Sequence, residues 1–453
     1  MSAPPKPGRA VPLPAKAVQI APETSRTERP TAAPERLLTS PEAAESLPAG
    51  GHDPRNSVAT VRNLRPDETD AVADLTARVF SGPDEYPGMF ELIRSAYANC
   101  PFIPTDLCWV AEAGGRIVAK WQLLDFEMRI AGTPIRMGGI QAVAAEPDEN
   151  HKGYAKEVAL AALPQIRELD FDLVLGFAQR GAFYRRLGAV VVAADYQIEL
   201  DASGVPPLGE DPFRPWNEDD DLPFIIDAYN QSNADSTGPL IRNEALWPWL
   251  VRRPTSIHVC NDGYIGVSLF DDRLEIREVA GHGPHFYDAA IRKIAALARE
   301  ADLKPICGGV APDHPLIRMA TPYGIRVHST YTRKSGCIGL ALAPVRLIGR
   351  LTNTLSARLQ ASRYHDVHLD LGLRAPDEEA RLLVNPQGQQ GRKVDIDLPA
   401  GALLQLAMGH VSASSLLVAH PEACTQPLST ELLGLLDAAF PVGHPFMWHT
   451  DRY

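Results

Sequence analysis

Two short stretches of the sequence carry the residue types that chemistry needs. The first is EPDENHKGYAKEVALAAL, from Glu146 to Leu163, where the strand-like run MGGIQAVAA passes into a helix-like run. Backbone N–H groups at the start of such a helix lack intrahelical partners and carry partial positive charge, which suits an anion such as a phosphate. Asn150, His151, Lys152, Gly153, Tyr154 and Ala155 make the turn. Its glycine and alanine allow close approach to the backbone, and Lys152 with His151 adds positive charge. Taken alone, the turn reads more readily as a plain strand-to-helix connection than as a phosphate cradle, because such turns often contain glycine for geometry only. The second stretch is AFYRRLG, from Ala182 to Gly188. As an amphipathic helix it buries Phe183 and Leu187 and leaves Arg185 and Arg186 in water. Tyr184 lies between them near the helix start, where a phenol can give a proton to a departing thiolate.

Other polar groups read as structure. Glu278, His282, His285 and Asp288 straddle Gly281–Pro284 without metal-ligand spacing, so they read as a solvated loop and no metal is expected. Trp216, Trp247 and Trp249 read as core or subunit interface. Ser412, Ser414 and Ser415 lack a nucleophile elbow, which argues against a serine hydrolase. The six cysteines form no C-x-x-C pair, which fits neither a disulfide scaffold nor a zinc site and suits a reducing cytoplasm.

The elements that hold these residues follow from pattern. Residues 1–57 contain eleven of the forty prolines and no aromatic residue, the composition of a disordered tail. From residue 58 the order reads β-α-α-β-β-β-α-β-α-β, ending near Asp201 with AVVVAADYQIEL as one strand. Gly114-Gly115 and Gly132-Thr133-Pro134 punctuate its hairpins. Pro164 is expected to kink or end the helix after the turn. A similar grammar recurs to Leu347, and the remainder is a different α+β unit. At 453 residues the chain is long enough for about three domains. A net charge of −12 disfavours nucleic acid as a partner, and the absence of any long apolar run disfavours a membrane span.

AVAAEPDENHKGYA followed by GFAQRGAFYRRLG resembles the GNAT acyltransferase superfamily, whose signature is [RQ]-x-x-G-x-[GA] after the fourth strand and F-Y-x-x-x-G after the fifth. With LPAGALLQLAMGHVSASSLL and the ending LLDAAFPVGHPFMWHTDRY, residues 58–453 are similar to the Eis (enhanced intracellular survival) subfamily. The resemblance implies an α+β fold of tandem GNAT domains, each a mixed, splayed sheet flanked by helices: an active one at 58–202 and a degenerate one at 203–347. A domain similar to sterol carrier protein type 2 would follow at 348–453. It implies acetyl-CoA as co-substrate, with Val143 and Ala145 pairing with the pantetheine arm and Asn150–Ala155 holding the pyrophosphate. Tyr184 would be the general acid and the α-carboxylate of Tyr453 the base. The acceptor would be a small cationic amine and the assembly a homo-oligomer, a hexamer in that subfamily. Asn150 departs from the signature's Arg or Gln, which weakens coenzyme affinity. Two rivals are a decayed site on a binding protein with an apolar cavity near Leu403–Leu417, and a transferase using a longer acyl-CoA.

Overall fold

The computed structural model describes residues 59–100, 102–147, 153–178, 181–251, 253, 256–331 and 336–453. The expected tail and the turn residues Asn150, His151 and Lys152 lie outside them. Along the chain come β1 (Thr60–Asn63), α1 (Thr69–Phe80), α2 (Tyr86–Asn99), β2 (Cys108–Ala113), β3 (Arg116–Ile130) and β4 (Thr133–Ala145). Then follow α3 (Tyr154–Glu168), β5 (Leu173–Ala178), α4 (Gly181–Arg185), β6 (Val190–Val191) and β7 (Asp195–Asp201). The middle holds β8 (Arg214–Pro215), α5 (Glu218–Ser232), β9 (Leu240–Ile241), α6 (Trp247–Leu250), β10 (Ser256–Cys260), β11 (Gly263–Leu269) and β12 (Leu274–Gly281). It continues with α7 (Gly283–Glu300), β13 (Pro305–Gly308), α8 (Pro315–Ala320), β14 (Arg326–Thr330) and β15 (Gly336–Ala341). The last part holds α9 (Pro344–Arg350), α10 (Thr352–Gln360), β16 (Val367–Ala375), β17 (Glu378–Val384), β18 (Gln390–Asp397), α11 (Ala400–Ala407), α12 (Ala413–Ala419) and α13 (Thr430–Ala439).

The first sheet runs β1-β2-β3-β4-β5-β15-β6, with β9 laid on β3. Its long central hairpin is buried on both faces from Ile117 to Leu124, because helices cover both sides. Gly114 and Gly115 turn at φ +59° and +74°, and Ala131 and Gly132 at +46° and +80°. Both pairs give the left-handed geometry that matches strand twist, so the second turn lies one residue earlier than the sequence suggests. The second sheet runs β14-β7-β13-β12-β11-β10-β8, and the third β17-β16-β18.

Two strands cross between the first two sheets. The run from Ala189 to Leu200 is not one strand: β6 joins the first sheet, while β7 pairs with β13 and β14 in the second. The apolar VVVAA then gives way to an alternating burial pattern over β7, which is the mark of the change of sheet. In return β15, from far along the chain, pairs with β5. Nor does Pro164 end its helix, since α3 continues to Glu168. The carbonyl one turn back belongs to Leu160, which is 51% exposed, so water can take the bond that proline cannot make.

One buried cluster extends from Phe126 and Leu175 of the first sheet through Leu347 and Leu404 to Leu436. A second lies under the other large sheet, around Ile265, Ile276 and Ile294.

Candidate functional site

The parallel strands β4 and β5 are in register only from Met137–Gly139 against Leu173–Leu175. Beyond that β4 continues to Ala145 against β3 alone, while the rest of β5 pairs with β15. The sheet is therefore open between the ends of β4 and β5. On the β4 side a bulge interrupts the ladder: Gln122 faces Gln141 and Lys120 faces Ala144, so Ala142 and Val143 together stand against the single residue Trp121 on β3. Ala142 sits at φ +44°, a strained conformation for a residue with a side chain. Val143 and Ala145 are half-exposed along this open edge. Glu146, just past it, is buried at 4% and paired with Arg78 of α1, which pins the end of β4.

Helix α3 begins at this opening. Gly153 precedes it at φ +81°, and a side chain there would meet nothing within 4 Å among the described residues. The first intrahelical bonds run from the N–H of Lys156 and Glu157 to the Gly153 carbonyl. The start of a helix leaves the N–H groups of its first turn without helical partners, which is the geometry that receives anions. The Tyr154 side chain is core, packed with Val158 and Trp121, so only its backbone can face a ligand. On the same face Tyr184 of α4 stands edge-on to Trp121 at 6.5 Å and to Phe183 at 5.0 Å. Burial pushes the Tyr184 phenol up to about 12.

The opposite face of the opening is taken by the last residues of the chain. Tyr453 packs its ring on Phe126 (5.2 Å) and Phe177 (5.9 Å), and its Oη donates to the Leu175 carbonyl at 3.0 Å. The glycine at 139 makes room for it, since a Cβ there would lie 2.8 Å from the ring. What holds this tail is a buried polar network supplied by the middle of the chain. Arg242 donates from Nε to Asp451 at 2.7 Å and from Nη1 to Glu278 at 3.1 Å. Tyr229 donates to Asp451 at 2.8 Å, Arg253 to the Thr450 carbonyl at 2.8 Å, and Trp448 to Asn233 at 3.0 Å. Arg452 lies 5.0 Å over the Phe177 ring.

Val143, Ala145, Gly153, Ala155 and Tyr184 thus border one opening, with Tyr453 on its far face. The network behind Tyr453 gave no signal in the sequence. Glu278 in particular is not part of a solvated loop but lies buried in β12 against Arg242. Trp247 is core as expected, whereas Trp249 is half-exposed beside Phe102. Ser412 caps α12 by accepting from the Ser415 N–H. Leu403, Leu404 and Leu417 are packed core, at most 1% exposed. Among the described residues no group of three His, Cys, Asp or Glu could hold a metal, and no helix is long and apolar enough to cross a membrane.

Comparison with known proteins bears on the whole arrangement. Residues 60–192 match the family model described as an acetyltransferase (GNAT) domain. No curated protein matches the chain in sequence. Among solved structures, a GCN5-related N-acetyltransferase from Kribbella flavida is similar over 87% of this chain and 98% of its own, with TM-score 0.64 at 16% identity. One from Anabaena variabilis is similar over 87% and 100%, with TM-score 0.65 at 16% identity. Eis1 from Mycobacterium abscessus is similar over 87% and 100%, with TM-score 0.59 at 14% identity. At such identities these neighbours establish a shared fold. The matched segment contains β4, α3 and Tyr184, so the opening lies within it. The chain carries a GNAT acetyltransferase domain at residues 60–192 and is an acyltransferase.

Proposed function

We propose that the chain transfers an acetyl group from acetyl-CoA to the primary amine of a small cationic acceptor, by direct attack on the thioester. The observation that carries this reading is the parting of β4 and β5 after Gly139 and Leu175, with the start of α3 on one face and Tyr453 on the other. Acetyl-CoA supplies the activated acyl group, and the residues present fit it. The open edge at Val143 and Ala145 suits an extended amide-bearing arm. Gly153, Tyr154 and Ala155 suit the pyrophosphate through their backbone, with Asn150, His151 and Lys152 completing the turn. An N–H at the bulge of β4 polarises the thioester carbonyl. The amine nitrogen bonds to the carbonyl carbon, the C–S bond breaks, and Tyr184 gives its proton to the sulfur. The proton lost by the amine passes to the α-carboxylate at Tyr453. The Tyr453 ring closes the narrow end of the opening, which supports a short acyl group over a long one.

In this reading residues 58–202, completed by β15, form the active unit, and 203–347 a degenerate second copy. Residues 348–453 would be the unit similar to sterol carrier protein type 2, and the whole Eis-like. It acts in the cytoplasm as a homo-oligomer, with neither nucleic acid nor membrane as partner. Aminoglycoside, polyamine and lysine-type amines are the acceptors to try. The test is release of coenzyme A thiol with such a panel, on wild type and Tyr184→Phe. We expect kcat to fall by about 100-fold or more in the variant, the usual range for losing a general acid. Full turnover by Tyr184→Phe would remove its assigned role.

A further inference from the structure

On the face of the first sheet that carries the tail, β4 and β5 come out of the core at the same level. Side chains two residues apart on a strand share a face, so Ile135, Met137, Gly139 and Gln141 of β4 lie together, as do Leu173, Leu175 and Phe177 of β5. Tyr453 identifies that face: its ring lies against Gly139 and Phe177, and its Oη is 3.7 Å from the Met137 sulfur. Ile135, Met137, Leu173 and Leu175 are at most 1% exposed, and the last pair joining the two strands is Gly139 with Leu175. Gln141 and Phe177 come next on that face, and both are half-buried. They stand on the two sides of the parting, with the Tyr453 ring at its closed end.

Gln141 also directly precedes the bulge at Ala142 and Val143. Across the ladder it faces Gln122, and the two glutamines differ in what they hold. Gln122 is fully buried; its amide donates to the carbonyls of Pro104 (3.0 Å) and Leu123 (2.7 Å), and its oxygen accepts from Tyr97 at 2.8 Å. The Gln141 carboxamide makes no hydrogen bond among the described residues. On the other side of the gap Arg452 lies over the Phe177 ring and is paired with Asp195 at 3.8 Å. This leaves the Gln141 carboxamide as an uncommitted hydrogen-bonding group beside the bulge. Its oxygen can accept from an amine N–H without stabilising the ammonium form as a carboxylate would, so the nitrogen lone pair stays free to attack.

We infer that the acceptor reaches the thioester from the tail face, through the gap between Gln141 and Phe177, and that the Gln141 carboxamide oxygen accepts an N–H of the attacking amine and sets its approach. This deepens the acyl-transfer reading and rests on it. The test is steady-state acetylation of spermidine, Nα-acetyl-lysine amide and kanamycin by the full chain, in wild type, Gln141→Leu and Gln141→Glu. Because the Gln141 side chain holds nothing in the protein, Gln141→Leu should keep the wild-type melting temperature and KM for acetyl-CoA. It should raise the KM of each amine that wild type acetylates by about tenfold, the scale of one lost hydrogen bond. Gln141→Glu retains an accepting oxygen and should leave the amine KM at or below the wild-type value. An amine KM unchanged in Gln141→Leu, or raised equally in Gln141→Glu, overturns the inference and leaves acyl transfer standing. A rise in the acetyl-CoA KM equal to that of the amine also overturns it, since that marks a structural role. No turnover of any of the three amines by wild type overturns the acyl-transfer reading and the inference with it.

Discussion

Tyr184, Tyr453 and Gly139 are the side-chain positions on which the account depends. Because burial holds the Tyr184 phenol near 12, its protonated form persists through the working pH range. Activity should therefore rise with amine deprotonation and show no loss from this group up to about pH 10, which a kcat profile of wild type will test. A fall between neutrality and that point, absent in Tyr184→Phe, would mean the phenol ionises far earlier. Gly139 matters through the ring it admits. Gly139→Val should displace Tyr453 and lower kcat by about a hundredfold, the scale of a misplaced reacting group, while acetyl-CoA binding is kept. Equal kcat in the variant would detach Tyr453 from the chemistry. Gly153 and Tyr184 were legible in the sequence because their motifs are local, a strand-to-helix turn and one helix. The packing around Tyr453 was not, since Phe126, Phe177 and Tyr453 are brought together only by the tertiary fold.

The decisive element is the tail from Phe446 to Tyr453, held by Tyr229, Asn233, Arg242, Arg253 and Glu278, between 172 and 222 residues away in sequence. No periodicity could announce a bond between Arg242 and Asp451, whereas the strands and helices of the first sheet follow from alternation and turns. Arg242 is 1% exposed and Asp451 fully buried, so removing one partner strands the other. Arg242→Met should cost about 3–5 kcal/mol of stability, or release the tail outright. Melting temperature and carboxypeptidase sensitivity report the two cases, and an unchanged melt with a protected tail would contradict the anchoring role. A pH effect belongs to the same element. His314 touches Trp448 (5.3 Å) and Phe446 (6.5 Å), and burial pulls its pKa down to about 4. The undocked state binds a proton from about pH 6.5 downward that the docked state refuses, so stability is complete above that pH. It is lost progressively as pH falls toward 4, by about 3 kcal/mol in all. The difference in stability between wild type and His314→Gln across that window isolates this group from the other histidines. A constant difference would refute it.

On the scale of the molecule, the two large sheets exchange strands. The sequence suggested that the first unit closes near Asp201, but β15 stands between β5 and β6, and β7 belongs to the neighbouring sheet. Strand pairing across 150 residues leaves no local trace, which is why a repeat of similar grammar reads as two self-contained units. A fragment covering 58–202 lacks the partner of β5 and exposes its edge, so it should be insoluble or lack a cooperative melt. A soluble, cooperatively folding fragment would show that the exchange is dispensable. The middle of the chain, through Arg242 and Arg253, supplies the frame that holds Tyr453 beside a site whose motifs lie in the first 200 residues.

The central claim is that the start of α3, beside the parted strands, holds acetyl-CoA. Calorimetric titration of acetyl-CoA into wild type and Gly153→Glu tests it most directly, with circular dichroism to verify that the variant is folded. The account predicts binding by wild type that is lost when a carboxylate stands at the helix start. No binding by wild type, or undiminished binding by the variant, would contradict it.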